Sequence, residues 1–155
     1  MVRVEKERVI ACTPDLFLNF VMDVERYIDV DDKIGSIAWA NREETLTEFK
    51  FQPRMPGLPL PQPKAVAQMR LTPGERIDIR LAPKPLNKLN HRMAHFEASF
   101  SCEAVEGGIR ATRMISFTFN PVLRPVLEPV LRRTLPRSVE RELRLTQETL
   151  EKDRR

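Results

Sequence analysis

The sequence predicts an α+β fold, one antiparallel sheet of consecutive hairpins whose apolar face is covered by helices. Three observations carry this. Apolar residues recur at every second position from Lys33 to Phe119, but at helical spacing from Leu16 to Ile28 and again after Asn120. Turn signals divide the middle span into pairs of strands. The C-terminal stretch then carries one apolar stripe long enough to cross a small domain.

Residues 2–10, VRVEKERVI, read as a strand of imperfect alternation. Thr13-Pro14-Asp15 supplies an N-cap, a proline at the first helical position and an acid in the first turn. The helix it opens, LFLNFVMDVERYI, places Leu16, Phe17, Phe20, Val21 and Val24 at helical spacing, with Tyr27 and Ile28 one turn on. Asp29-Val30-Asp31-Asp32 is expected to break it into two short helices. Six strands follow: 34–42 with 44–51, 64–73 with 75–83 around Pro73-Gly74, and 93–105 with 108–120 around Glu106-Gly107-Gly108. In 93–105, Ala94, Phe96, Ala98, Phe100 and Cys102 alternate with polar residues, the pattern of a sheet with one dry face. In the last helix Leu127, Leu131, Leu135, Val139, Leu143, Thr146 and Leu150 step by three and four. Residues 1–155 are read as a single domain, with no internal repeat.

The composition is that of a globular chain, 41% hydrophobic and 31% charged. No apolar run approaches the ~20 residues that span a bilayer. MVRVEKERVIAC has no continuous apolar segment of the signal-peptide kind. Cys12 and Cys102 read as buried free thiols, so the expected location is the cytoplasm. The net charge is +4, and residues 121–155, with nine Lys/Arg against six acids, supply +3 of it. The simplest reading of that tail is a solvated helix face with Glu140–Arg144 and Glu148–Lys152 pairs.

The strand, small-residue-proline turn and helix of VEKERVIACTPDLFLNFVMDVERY, with its Asp23-x-x-x-Tyr27 segment, and the closing SVERELRLTQETLEKD resemble the START-like (SRPBCC) superfamily. Birch-pollen-allergen-like proteins, polyketide cyclases and lipid-transfer domains share its helix-grip fold. The resemblance implies a curved seven-stranded antiparallel sheet around a long C-terminal helix, two short helices after the first strand, and a hydrophobic cavity between sheet and helix. One departure is visible. The Trp or Pro that often follows the helical pair is replaced by Ile28-Asp29-Val30-Asp31.

Two stretches are irregular. PVLRPVLEPVLRR, 121–133, plants Pro121, Pro125 and Pro129 in a helical repeat, and Pro136 follows. Proline beyond the first turn removes a hydrogen bond and crowds the turn before it, at about 3 kcal/mol. The expectation is a bent or loosened segment over 121–135, leading into a regular anchor from Pro136. Either it is an apolar lid over a cavity, or it crosses the end of the sheet as short turns. The loop QPRMPGLPLPQP, 52–63, is proline-stiffened. Its Met55, Leu58 and Leu60 fold over a cavity mouth, meet a partner or membrane, or run across the surface.

Strand alternation and the helix stripe nominate Tyr27, Trp39, Phe49, Phe51, Met69, Ile79, Phe96, Phe100, Ile115, Phe117, Leu127 and Leu131 as cavity lining, with ordinary core packing as the alternative for each. Arg113 falls on the same inward face. A buried arginine needs a carboxylate or an anionic ligand, unless a bulge turns it outward. His91 and His95 are four apart in a strand region, where that spacing does not converge on a metal. No residue stands out as catalytic, and no cofactor or metal is expected.

The function expected is binding, by transport or sequestration, of a lipid, polyketide, isoprenoid or quinone. A polyketide cyclase or dehydratase-type enzyme is the alternative, and an interaction module using loop 52–63 a third. The basic tail lacks interleaved aromatics, so no nucleic-acid partner is expected. Loop and tail leave peripheral membrane contact open.

Overall fold

Thr13 opens the first helix as its sequence requires, with Oγ1 accepting from the Leu16 amide at 3.2 Å. That satisfies one of the unpaired donors of the first turn. The computed structural model describes residues 1–58 and 62–153, so the Leu60 of the proline-rich loop lies outside the described residues.

Strand β1 (Val2–Ile10) leads into α1 (Pro14–Met22) and α2 (Val24–Tyr27). The helical break falls at Asp23, not at 29–32. Asp23 leaves helical geometry at ψ 78°, although its N–H still bonds Asn19 O. Then come β2 (Ile34–Arg42), β3 (Leu46–Pro53), β4 (Ala65–Thr72), β5 (Arg76–Leu81), α3 (Lys88–Met93), β6 (Ala94–Val105), β7 (Gly108–Phe119) and α4 (Arg124–Asp153). The sequence pattern does not indicate α3, a single short turn-and-a-half with no buried residue and hence no apolar period. The strands form one antiparallel sheet in the order β1-β7-β6-β5-β4-β3-β2. The chain thus crosses from one edge to the other through α1 and α2, then meanders back until β7 pairs with β1.

Gly108 makes the last return feasible. A Cβ there would sit 2.1 Å from Ile10 O, so only glycine lets β7 start against the end of β1.

The final helix is unbroken from Arg124 to Asp153, although Pro129 and Pro136 lie inside it. The segment over 121–135 is therefore helical from Arg124 onward and does not cross the sheet end as separate short turns. Pro125 sits where amides have no intrahelical partner. Pro129 and Pro136 each forfeit one bond, and burial outweighs the loss. Leu131, Leu135 and Val139 are fully buried, and each contributes about 1.5–3 kcal/mol on burial. Outside the stripe, Glu140 pairs with Lys6 at 3.1 Å instead of Arg144. Cys12 is buried, but Cys102 is half-exposed near the end of its strand.

Candidate functional site

The inner sheet face and α4 enclose an apolar cavity of about 120 Å³, where one water needs about 10–15 Å³. It holds roughly ten non-hydrogen atoms on that scale. Phe49, Phe51, Met69, Ile79, Phe96, Ile115 and Phe117 line it from the strands, Leu135 from α4, and Phe100 with Tyr27 from the side of α2. Met55, Pro56 and Gln62 of the β3–β4 loop, with Asn90 and Met93 of α3, close it where these connections leave the sheet. Gly57, at φ 83°, brings that loop onto α4, where a Cβ would strike Thr134 Cγ2 at 2.7 Å.

Three of the nominated residues are elsewhere. Trp39 is on the outer surface, because β2 shifts register between Ile34 and Trp39. Trp39 consequently pairs with Lys50, and Ala40 takes the place opposite Phe49. Leu131 is sealed in the core and Leu127 is half-buried, while Leu135, one turn further, reaches the cavity. The helix pattern could not say which turn of α4 lies over the gap.

Arg113 does point inward. Its register is regular against both Phe100 in β6 and Lys6 in β1, so no bulge turns it out. Its guanidinium lies 4.0 Å from the centre of the Phe100 ring. The carboxylate it requires comes from Glu142 on α4, with Oε2 3.0 Å from Nε. Asp31 Oδ2 is 3.7 Å from Nη2. Lys33 Nζ contacts Glu142 Oε1 at 2.6 Å and Asp31 Oδ1 at 2.8 Å. The Tyr27 hydroxyl donates to Glu142 as well. Ser138 Oγ bridges the edge of the cluster, donating to Asp32 Oδ1 at 2.6 Å and accepting from Lys33 at 3.3 Å.

Sequence reasoning missed Asp31, Lys33, Ser138 and Glu142. The solvated face expected of the C-terminal tail takes in Glu142, yet that residue is fully buried. Its signal is present in the stripe, since it lies seven residues after Leu135 and four before Thr146.

The cluster holds two carboxylates and two cations, so its formal charge is balanced. Burial works against every charge in it, and the partners prevail. Desolvation would raise Asp31, but the Lys33 ammonium and Arg113 guanidinium hold its carboxyl below the ordinary range. Desolvation would lower Lys33, but Asp31 and Glu142 keep it raised. Arg113 is raised in the same way, chiefly by Glu142. Burial, reinforced by Glu142, pushes Tyr27 well above an ordinary phenol. Each of these shifts moves its group further from neutrality, which is the wrong direction for a general acid or base at pH 7.

Two donors are left without a hydrogen bond among the described residues, both on Arg113, which lines the cavity: Nε, held at 3.0 Å from Glu142 Oε2 by charge alone, and Nη1, which has no such carboxylate beside it. A buried unpaired donor carries a desolvation penalty of about 1–3 kcal/mol or more. The histidines take no part in this. His91 Nε2 is 2.8 Å from Ala82 O, and His95 pairs with Glu97 at 3.2 Å.

A seven-stranded antiparallel sheet gripping a long C-terminal helix, with a cavity between them, is the helix-grip architecture of the START-like proteins. The chain matches the polyketide cyclase / dehydrase and lipid transport family over residues 1–151, and belongs to it. No curated protein matches it by sequence. Among solved structures it is similar to the protein TTHA0849 from Thermus thermophilus, with 14% identity and TM-score 0.75 over 96% of this chain and 97% of that one. The Zhui aromatase/cyclase from Streptomyces sp. R1128 aligns at 13% identity and TM-score 0.76, over 99% and 96%. The di-domain aromatase/cyclase StfQ of the steffimycin biosynthetic pathway aligns at 15% and TM-score 0.74, over 98% of this chain and 52% of that longer one. At these identities the likeness is one of fold.

Proposed function

We propose that this protein binds a small apolar molecule in the cavity between sheet and α4, with a neutral oxygen of that molecule accepting from Arg113 Nη1. The observation that supports this is the pairing of an apolar chamber with a charged Arg113 on its wall, whose Nη1 has neither a hydrogen bond nor a carboxylate beside it among the described residues. Asp31 and Glu142 already balance Lys33 and Arg113, so a ligand carboxylate would add a third anion to a buried, neutral cluster. A ketone, quinone or ester oxygen satisfies the donor without adding charge. Polyketides, quinones and lipid esters all carry one. A cavity of this size takes a fused-ring head or a short acyl segment, and the remainder of a longer ligand leaves past the β3–β4 loop and α3.

A cyclase is the second reading, and the same donor is what favours it. Arg113 held against a substrate carbonyl would stabilise the enolate that forms when the neighbouring carbon loses a proton. The shifts of Tyr27, Asp31 and Lys33 leave that reading without a base near neutral pH, so binding is preferred.

Thermal-shift and native mass spectrometry with a naphthoquinone, and with a fatty acid of equal carbon count, test the proposal. The quinone is expected to bind one-to-one and more tightly than the acid. Arg113→Met should weaken the quinone about tenfold or more, the loss of a hydrogen bond to a charged group. Met69→Trp, which fills the chamber, should abolish binding while the fold persists. Tighter binding of the acid, or quinone binding unchanged in Met69→Trp, refutes it.

A further inference from the structure

Three connections leave the sheet at the same end: the β3–β4 loop, the β5–β6 connection containing α3, and the start of α4. Hydrogen bonds join them into one surface. Asn90 Nδ2 donates to Pro63 O at 3.0 Å, and Asn120 Nδ2 to Arg92 O at 2.9 Å. The Asn120 amide donates to Met93 O at 2.9 Å, and Thr134 Oγ1 to Pro56 O at 2.6 Å. The loop and α3 also wall the cavity, so this surface lies directly over one end of it, which we call its mouth.

The surface is apolar where it protrudes. Val122 is 83% exposed, Val126 65%, Leu89 59% and Leu86 49%. These are half of the large hydrophobic side chains exposed among the described residues, and the other four, Met1, Val9, Leu16 and Trp39, lie on other segments. The surface is also basic. Arg54, Lys64, Lys84, Lys88, Arg92 and Arg124 are all exposed and make no close ion pair among the described residues; the nearest acid, Glu128, one turn from Arg124, is buried and already paired with the N-terminus and Arg132. Acids are excluded from it by sequence. No Asp or Glu occurs between Glu48 and Glu75, between Asp78 and Glu97, or between Glu106 and Glu128.

We infer that this end of the molecule docks on an anionic lipid bilayer, the four aliphatic side chains entering the acyl boundary and the cations resting among headgroup phosphates. The combination of protruding aliphatic residues with cations and no acids is what an interfacial membrane site requires. Each Lys or Arg close to an anionic leaflet strengthens partitioning about fivefold. A second copy of the chain fits poorly, because a two-fold contact would set the patch against itself and cation against cation. A nucleic acid fits no better, since the protruding side chains are aliphatic and offer no stacking faces. The second basic surface, the groove of Lys6, Arg8, Arg137, Arg141 and Arg144 between β1 and α4, carries Glu7 and Glu140 among its cations. Docking at the mouth would let an apolar ligand pass between bilayer and cavity without crossing water. The inference goes beyond the cavity's function and does not depend on which ligand fills it.

Flotation of the full chain with vesicles is the test, using phosphatidylcholine alone or mixed with phosphatidylglycerol. Retention is expected on the anionic vesicles at about 0.05 M salt and should fall about tenfold or more at about 0.5 M, as screening shortens the reach of the cations. Val122→Asp/Leu89→Asp and Lys88→Glu/Arg92→Glu should each lose at least about tenfold. Both pairs are surface changes, so thermal midpoints and cavity-ligand binding in solution should hold, which separates failure of docking from failure of binding. Arg137→Glu/Arg144→Glu, in the other groove, should retain most of the association. No retention at low salt, equal retention in Val122→Asp/Leu89→Asp, or loss confined to Arg137→Glu/Arg144→Glu would each overturn the inference. A concentration-dependent dimer abolished by Val122→Asp would overturn it too, by assigning the patch to a second copy.

Discussion

The hydroxyl of Tyr27, on the short helix after β1, is hydrogen-bonded to Glu142, 115 residues later on α4. That carboxylate also faces Lys33 and Arg113. One buried side chain on the last helix therefore holds three groups from the first helical pair, the approach to β2, and β7. The cluster is a clasp between α4 and the sheet as well as the polar wall of the cavity.

Glu142→Gln leaves two buried cations with one carboxylate. Breaking a buried pair from one side costs about 3–5 kcal/mol, whereas removing both partners costs less. Urea denaturation at neutral pH should show a loss in that range for Glu142→Gln. The double variant Glu142→Leu/Arg113→Met should lose less than the sum of its singles. Additivity across the pair would mean that Glu142 and Arg113 are not coupled.

Tyr27 is the sole tyrosine of the chain, so ultraviolet titration reads it alone. Its folded pKa is raised, hence its contribution to stability is complete below the ordinary phenol value of about 10 and is lost as pH climbs toward the folded value. Absorbance near 295 nm should stay flat through that ordinary value, and ionisation should coincide with unfolding followed by circular dichroism. A reversible titration with an ordinary midpoint in the folded protein would contradict its burial.

Asp31 gives the acid limb. Its folded pKa is depressed, so it stabilises the fold above the ordinary carboxylate value of about 4, and the contribution disappears as pH falls through the folded value. Asp31→Asn should be less stable than the wild type at neutral pH, by an amount that shrinks on acidification. A difference independent of pH would place its effect in packing instead of charge.

Pro136 sits inside a helix that would run through it in any case. Pro136→Ala restores one backbone donor and relieves the preceding turn, so stability should rise by about 1–3 kcal/mol. Chemical denaturation measures this directly. A loss would show that the proline shapes α4 against the β3–β4 loop.

Most of the strands were legible because they carry a period of two over a dry face, and β6 shows it residue by residue. The C-terminal stripe from Leu131 to Leu150 was equally clear. Trp39 was misplaced because a register shift leaves no mark on composition, and a one-residue slip exchanges faces. That 124–135 belongs to one helix with the anchor was not legible, because proline's local penalty is visible in a sequence, whereas the burial of Leu131, Leu135 and Val139 that offsets it depends on the far side of the fold. Arg113 reads in sequence as needing a carboxylate or an anionic ligand unless a bulge turns it outward, and its partner Glu142 is counted there with the exposed acids. Two halves of that pair were both on strictly inward patterns, one of period two and one of period 3.6. Reading the patterns together would have joined them.

The first strand pairs with the seventh along its whole length, and α4 supplies one of the two carboxylates that neutralise the inner wall. Neither closure can form while the chain is incomplete. During synthesis the meander from β2 to β6 can assemble early, yet Lys33 then faces an open chamber without Glu142 to hold it. The chamber is therefore walled only once the final helix lies on the sheet. A nascent or C-terminally clipped chain would possess the strands and the aromatic lining, but no chamber.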